Sequence, residues 1–133
     1  MTGRELALRR EVMLAFAATG DPPAVADQPA LRALAERHVV VLDDAAVPPR
    51  ILMAHPFAGH REGARVDAPG RSWWGNCAWD ALGIVAALGL QEATIHADGL
   101  TLAVRDGEVD AGGGALFHVA VPARRWWEDI ADT

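Results

Sequence analysis

One stretch, residues 72–89, constrains the fold more than any other part of the chain; it reads SWWGNCAWDALGIVAALG. Trp73 and Trp74 indicate the end of a strand, and Asn76 after the following glycine is a good helix N-cap. Apolar residues then recur at helical spacing until Gly89, which is a suitable helix stop. The stretch therefore predicts a strand that turns into a buried helix from about residue 76 to residue 88.

Cys77, the only cysteine of the chain, falls in the first turn of this predicted helix. Free backbone N–H groups and the helix dipole favour a thiolate there, so the sequence predicts a lowered pKa for Cys77. Asp80 lies three residues on and shares the same face, about 5–6 Å away between Cβ atoms. The alternative is structural: Cys77 would be a small buried hydrophobe and Asp80 a residue that the helix dipole favours.

The segment WGNCAWDALG resembles the active-site motif of the organomercurial (alkylmercury) lyases, in which an aromatic-rich strand leads into C-A-x-D and an apolar helix. Later segments follow the strand order of that family, namely ATIHA from Ala93, LTLAV from Leu100 and LFHVAVP from Leu116, with Trp126 or Trp127 beyond. The resemblance covers the chain from about residue 50 to residue 129.

In that family two cysteines grip the metal, and an aspartate delivers the proton that releases the carbon. The resemblance therefore implies that Cys77 captures the metal and that Asp80 is the acid, with mercury as substrate and no cofactor. The second catalytic cysteine is expected where this chain reads AGGG at 111–114. His96 and His118, on strands predicted to flank the helix, are candidate replacement donors, or else packing residues. The triple glycine would alternatively make room for a larger substrate, and Met53 is a weaker soft donor.

The first part of the chain is helical. A capping box at Thr2–Glu5 predicts a helix that ends near Gly20, and a second helix is predicted from Asp27 through about Arg37. Two strands, 38–42 and 51–54, are predicted to follow. With the short turn between the two helices taken as a short helix, the order is helix, short helix, helix and hairpin, which is that of a winged helix. We therefore interpret residues 1–54 as a winged-helix-like part.

The second part is rich in predicted strands, at 64–66, 71–74, 92–97, 100–104 and 115–121, and ends in a helix that starts at Pro122. Trp126 and Trp127 in that helix are predicted to plug the core or the rim of the site. We interpret residues 55–133 as an alkylmercury-lyase-like core. The predicted fold class is α+β, with the winged-helix-like part packed on a mainly antiparallel sheet beside the buried helix.

A winged helix raises the possibility of DNA binding, but the charges argue against it. Residues 1–50 hold six arginines and seven acidic residues, and the whole chain carries a formal net charge of −6. The second helix is mostly apolar, unlike a recognition helix. The sequence therefore favours a small-molecule or organometallic ligand over a nucleic-acid partner, although a winged-helix regulator that senses a ligand through Cys77 stays open.

His55 and His60 lie in the predicted linker between the two parts. No spacing typical of a zinc site supports them as ligands, so they are predicted to be solvated loop histidines. No apolar run approaches the roughly 18 residues of a membrane span, and no secretory signal precedes the first helix. The expectation is a cytoplasmic protein that either cleaves an organometallic substrate or binds a soft metal or thiol-reactive ligand without turnover.

Overall fold

The structure is a computed structural model that describes residues 1–110, 114–116, 118–119 and 121–130. Helix α1 spans Gly3–Thr19 and helix α2 spans Gln28–Glu36, which confirms both predicted helices. The Thr2 side chain accepts a hydrogen bond from the Glu5 N–H at 3.2 Å, and the Glu5 carboxylate accepts one from the Thr2 N–H at 3.0 Å. These reciprocal bonds are the predicted capping box, and they fix where the chain enters α1.

A three-stranded antiparallel sheet follows, in the order β1, β2, β3, with strands at Val41–Asp43, Arg50–Ala54 and Phe57–Ala58. The predicted strand at 38–42 is wrong at its start. His38 has a positive φ of 58°, and the N–H groups of His38 and Val39 bond back to carbonyl groups of α2. These residues therefore close the helix instead of entering the sheet.

Two helices, not three, precede this sheet, because residues 20–27 form turns and extended chain. The winged-helix interpretation and the division at residues 54 and 55 therefore remain predictions. The linker predicted at 55–60 is partly sheet, since Phe57 and Ala58 pair with Ala54 and Met53 of β2. One apolar core holds buried residues from both predicted parts, including Phe16 of α1 and Ile95 of the second sheet.

The second sheet has five strands in the order β5, β4, β6, β7, β8, all antiparallel; they span Ala64–Ala68 (β4), Arg71–Gly75 (β5), Glu92–Ala97 (β6), Leu100–Arg105 (β7) and Glu108–Asp110 (β8). Strands β4 to β7 confirm the prediction, and β8 is an addition to it. The hairpins at Asp98–Gly99 and Asp106–Gly107 have positive φ at both turn residues, as such two-residue turns require.

Helix α3 spans Ala78–Leu88 and packs against β4, β5 and β6. Its buried face holds Ala81, Ile84 and Val85 as well as Asp80. This confirms the predicted buried helix and the α+β fold class. The Trp73 indole N–H of β5 donates to the Ala17 carbonyl oxygen at 3.2 Å, which joins the second sheet to α1.

The end of the chain differs from the prediction. Within the predicted strand 115–121, the residues that the structure describes are not in a strand. Leu116 and Val119 are exposed, so these apolar residues gain no burial that would stabilise a strand there. A short 3-10 helix at Ala123–Glu128 takes the place of the predicted closing helix. Residues 111–113 of the glycine-rich link lie outside the described residues.

None of the helices in the described part of the chain has the length and apolar character that crossing a bilayer requires.

Candidate active site

Cys77 lies where strand β5 turns into helix α3. It is the N-cap of α3, with extended backbone at φ −147° and ψ 178°, and its carbonyl oxygen accepts the Ala81 N–H at 3.1 Å. The prediction that Asn76 caps the helix and that Cys77 lies in its first turn is therefore wrong by one residue. The side chain still stands at the N-terminal end of the helix, beside the first N–H groups.

Asp80 is the third residue of α3 and is 9% exposed. Its Oδ2 accepts the backbone N–H of Asn76 at 3.1 Å, so the carboxylate reaches back over the turn that carries Cys77. Gly75 makes this close approach possible, because a Cβ at residue 75 would lie 2.7 Å from the Asp80 Cβ. The turn therefore holds the carboxylate of Asp80 close to Cys77.

The surroundings of Cys77 raise the pKa of its thiol, whereas the sequence predicted a lowered pKa. Burial raises the pKa of the Cys77 thiol above its ordinary value of 9.0, and the negative charge of Asp80 raises it further. The backbone amides of Asp80 and Trp79 lower this pKa, but they do not offset burial and charge. Cys77 is therefore a protonated thiol at neutral pH, not a preformed thiolate.

A pocket of about 600 Å³ opens in front of Cys77 and Asp80. Three tryptophans, Trp79, Trp126 and Trp127, contribute to its wall. Of the two places predicted for Trp126 and Trp127, the core or the rim of the site, the structure therefore favours the rim. Aliphatic side chains complete the apolar part of the wall: Ala97, Val119, Val121 and Ile130. A cleft whose wall combines aromatic and aliphatic surface with several polar groups is typical of a site for a small organic molecule.

The two histidines of the predicted linker, His55 and His60, were expected to be solvated loop residues. Each instead contacts a residue near Cys77. Nδ1 of His55 lies 3.6 Å from Oδ1 of Asp80, and His55 lines the pocket. Nε2 of His60 lies 3.1 Å from Oδ1 of Asn76. His55 is the site residue that sequence reasoning missed, because no spacing connects it with Asp80, which lies 25 positions later.

The candidate assisting donors are separated in the structure. His118 lines the pocket, whereas His96 does not. Nε2 of His96 lies 3.2 Å from Oδ2 of Asp67, on the face of β6 opposite to that of the pocket-lining Ala97. Met53 is completely buried in the core. Only His118 of these three is therefore placed to reach a ligand beside Cys77.

The closing segment, residues 121–130, is attached to the site at two points. Nδ2 of Asn76 donates to the carbonyl oxygen of Ile130 at 3.1 Å. The Trp127 ring stacks on the His38 ring, with centroids 4.1 Å apart, and meets the His55 ring edge-on at 6.0 Å. Trp127, which lines the pocket, thus contacts both His38 in the first part of the chain and the pocket-lining His55.

Among the described residues, no group of three or more histidine, cysteine, aspartate and glutamate side chains could hold a metal ion. A soft metal at this site would therefore depend mainly on the sulfur of Cys77. The arrangement suits a substrate that arrives with its metal already bonded to an organic group, because the pocket offers one thiol, a carboxyl close to it and apolar wall surface.

A family model described as alkylmercury lyase matches residues 58–132, a span that contains Cys77, Asp80 and the closing segment. The match begins after His55 and leaves α1 and α2 outside it. Comparison with curated proteins and with solved structures gives no match.

Proposed function

The chain belongs to the alkylmercury lyase family, and from that premise we propose that it cleaves the carbon–mercury bond of organomercurial compounds. The observation that carries the proposal is that Cys77 and Asp80, close together in space, line one pocket that also has tryptophan and aliphatic walls. Their two side chains supply the two chemical functions that such a cleavage needs, which are a soft ligand for the metal and an acid for the carbon.

The first step of the proposed reaction is capture of mercury by the Cys77 sulfur. Because burial and the charge of Asp80 raise the pKa of this thiol, the thiol must lose its proton as the sulfur–mercury bond forms. Asp80 is the neighbouring carboxylate that can take this proton. As the sulfur–mercury bond forms, mercury releases the anionic ligand that it carried besides the carbon, such as acetate or a small thiolate. Capture then leaves mercury bonded to both sulfur and carbon, with a proton on Asp80.

The second step is protonation of the carbon. Asp80 gives its proton to the carbon attached to mercury, and the electron pair of the carbon–mercury bond becomes the new carbon–hydrogen bond. Mercury(II) stays on the sulfur of Cys77, Asp80 returns to its carboxylate form, and the organic group leaves as a hydrocarbon. A small thiol in solution then removes mercury from Cys77 and restores the thiol.

The pocket also indicates the kind of organic group. A volume of about 600 Å³ with tryptophans in its wall can take an aryl group or a long alkyl group. We propose His118 as the assisting donor in place of the missing second cysteine, since it lines the pocket. An imidazole binds mercury less strongly than a thiolate, so we expect slower turnover than a site with two cysteines would give.

A second candidate function is supported by the single thiol. A protein that captures a soft metal or a thiol-reactive ligand without turnover needs Cys77 and the pocket, but not the acid. The absence of a three-residue metal cluster in the described part of the chain fits such a binder as well as a lyase.

Incubation of the protein with phenylmercury acetate and excess small thiol separates these functions. We expect the parent protein to release benzene, measured by gas chromatography. In a parallel single-turnover incubation without the small thiol, it should carry mercury on Cys77, detected by mass spectrometry of the intact chain. The Cys77→Ser variant should lose both. Mercury bound to the parent without any benzene would favour the binder, and neither binding nor release would contradict both functions.

A further inference from the structure

We infer that His55 is a positioning residue for the acid Asp80, an inference that rests on the proposed lyase function. His55 lies between β2 and β3, ahead of residues 58–132 that match the family. The segment before the matched span would thus supply a working part of the site.

The carboxylate of Asp80 is approached from two sides. The Asn76 N–H bonds Oδ2 at 3.1 Å, while Nδ1 of His55 faces Oδ1 at 3.6 Å. The second distance is longer than a hydrogen bond, yet contacts of this kind commonly shorten once substrate is bound. Two donors on two different oxygens fix the plane of a carboxylate, whereas one donor leaves it free to turn about its bond to Cβ.

The unpartnered nitrogen of His55 indicates which ring nitrogen carries the proton. Nε2 is buried, and it has no hydrogen-bond partner among the described residues. A neutral imidazole holds its proton on one nitrogen only. A proton on Nδ1 meets the carboxylate of Asp80, but a proton on Nε2 would be a buried donor without an acceptor. The ring therefore presents an N–H to Oδ1.

The ring of His55 is itself held in place. Trp127 meets it edge-on with centroids 6.0 Å apart, and the other partner of Trp127 is the stacked ring of His38. Oδ1 has two lone pairs, so it can accept the N–H of His55 and still receive or give a proton on the pocket side. His55 thus sets the direction in which Asp80 offers its proton to the carbon.

Three substitutions of His55 test this role. The side-chain N–H of asparagine occupies about the position of Nδ1, that of glutamine about the position of Nε2, and phenylalanine keeps the aromatic contact with Trp127 but donates nothing. With phenylmercury acetate in a single turnover, we expect capture on Cys77 to be unchanged in all three. Benzene release should fall roughly tenfold to hundredfold in His55→Phe. It should fall similarly in His55→Gln and return to within a few fold of the parent in His55→Asn.

His96→Gln is the matched control, because His96 is also close to an aspartate but lies outside the pocket, and its release should equal that of the parent. Equal release by His55→Phe and the parent would overturn the inference. The inference would also be overturned if the Asn, Gln and Phe variants released benzene equally slowly, or if mercury capture fell in parallel with release. Either result would show that His55 acts through packing. Should His55→Phe not fold, the comparison of Asn with Gln decides. A parent that releases no benzene would contradict the proposed function instead.

Discussion

Two aspartate–histidine pairs in this protein have similar geometry and very different surroundings. Asp67 and His96 approach to 3.2 Å on the outer face of the five-stranded sheet, with side chains 31% and 40% exposed. Asp80 and His55 are 3.6 Å apart at the pocket, where the Asp80 side chain is 12% exposed. The shorter contact is the one away from the pocket, so distance alone does not indicate which pair takes part in chemistry.

The groups around each carboxylate distinguish the two pairs better than the distances do. Burial raises the pKa of Asp67, but the hydrogen bond from Ser72 and the charge and hydrogen bond of Arg65 outweigh it and hold this pKa below its ordinary value. Ser72 Oγ lies 2.7 Å from one oxygen, and Arg65 Nε lies 2.9 Å from the other. A carboxylate held by such donors stays ionised and carries no proton to give. Asp80 instead lies close to the Cys77 thiol, and in the proposed reaction the two exchange a proton.

The largest expected effect comes from removing the charge of each aspartate in turn. Asp80→Asn should leave mercury capture by Cys77 largely intact, because loss of the negative charge lowers the pKa of the thiol and its proton can pass to water. The same change should reduce benzene release by a factor of about 10²–10⁴, the contribution of a positioned acid. Asp67→Asn should leave both steps at the parent rate, because Asp67 does not line the pocket. Capture and release are measured with phenylmercury acetate as substrate. If the two variants released benzene equally fast, the assignment of the acid to the buried pair would be wrong.

A second comparison uses the pKa of the Cys77 thiol to test which aspartate, Asp80 or Asp67, acts on it electrostatically. Because the pKa of Cys77 lies above 9.0, the rate of alkylation by iodoacetamide should reach half its maximum above pH 9.0. Asp80→Asn removes one cause of the increase, so this midpoint should move to lower pH, whereas Asp67→Asn should not move it. Following alkylation by mass spectrometry from pH 6 to 11 checks this. A parent midpoint well below 9.0, or an upward shift in Asp80→Asn, contradicts the expected electrostatics.

Local patterns predicted most of what surrounds the site. The capping box at Thr2, the Asp98–Gly99 turn and the apolar spacing of α3 each depend on residues within a few positions of one another. The adjacency of Cys77 and Asp80 is local in the same way, which is why the sequence motif identified it. Structure that short-range geometry determines is readable from such patterns.

What the sequence did not show depends on contacts between distant residues. His55 meets Asp80 only because the fold brings the turn between β2 and β3 against α3, where Pro56 lies close to Gly83, and the pKa of Cys77 is raised by burial that the fold creates. Val39 is a residue type that favours strands, yet its N–H donates to a carbonyl oxygen at the end of α2. The apolar run at 115–121 predicted a strand, but Leu116 and Val119 within it are exposed. A helix-closing hydrogen bond at Val39, and exposure of these two residues, therefore prevailed over local strand propensity.

The smallest expected effect concerns the stability that the exposed pair contributes. The folded-state pKa of Asp67 lies below its ordinary value of 3.8, so the unfolded chain takes up this proton at a higher pH than the folded chain does. The contribution of Asp67 to the free energy of unfolding is therefore complete above about pH 4 and is lost as the pH falls through the folded-state pKa.

The free energy of unfolding of Asp67→Asn, from urea denaturation between pH 7 and pH 2.5, should fall less steeply below pH 4 than that of the parent. Ser72→Ala removes one donor and should give an intermediate slope, while His55→Asn should follow the parent. If Asp67→Asn and the parent lost stability in parallel over this range, the partners of Asp67 would not favour its ionised form in the folded state.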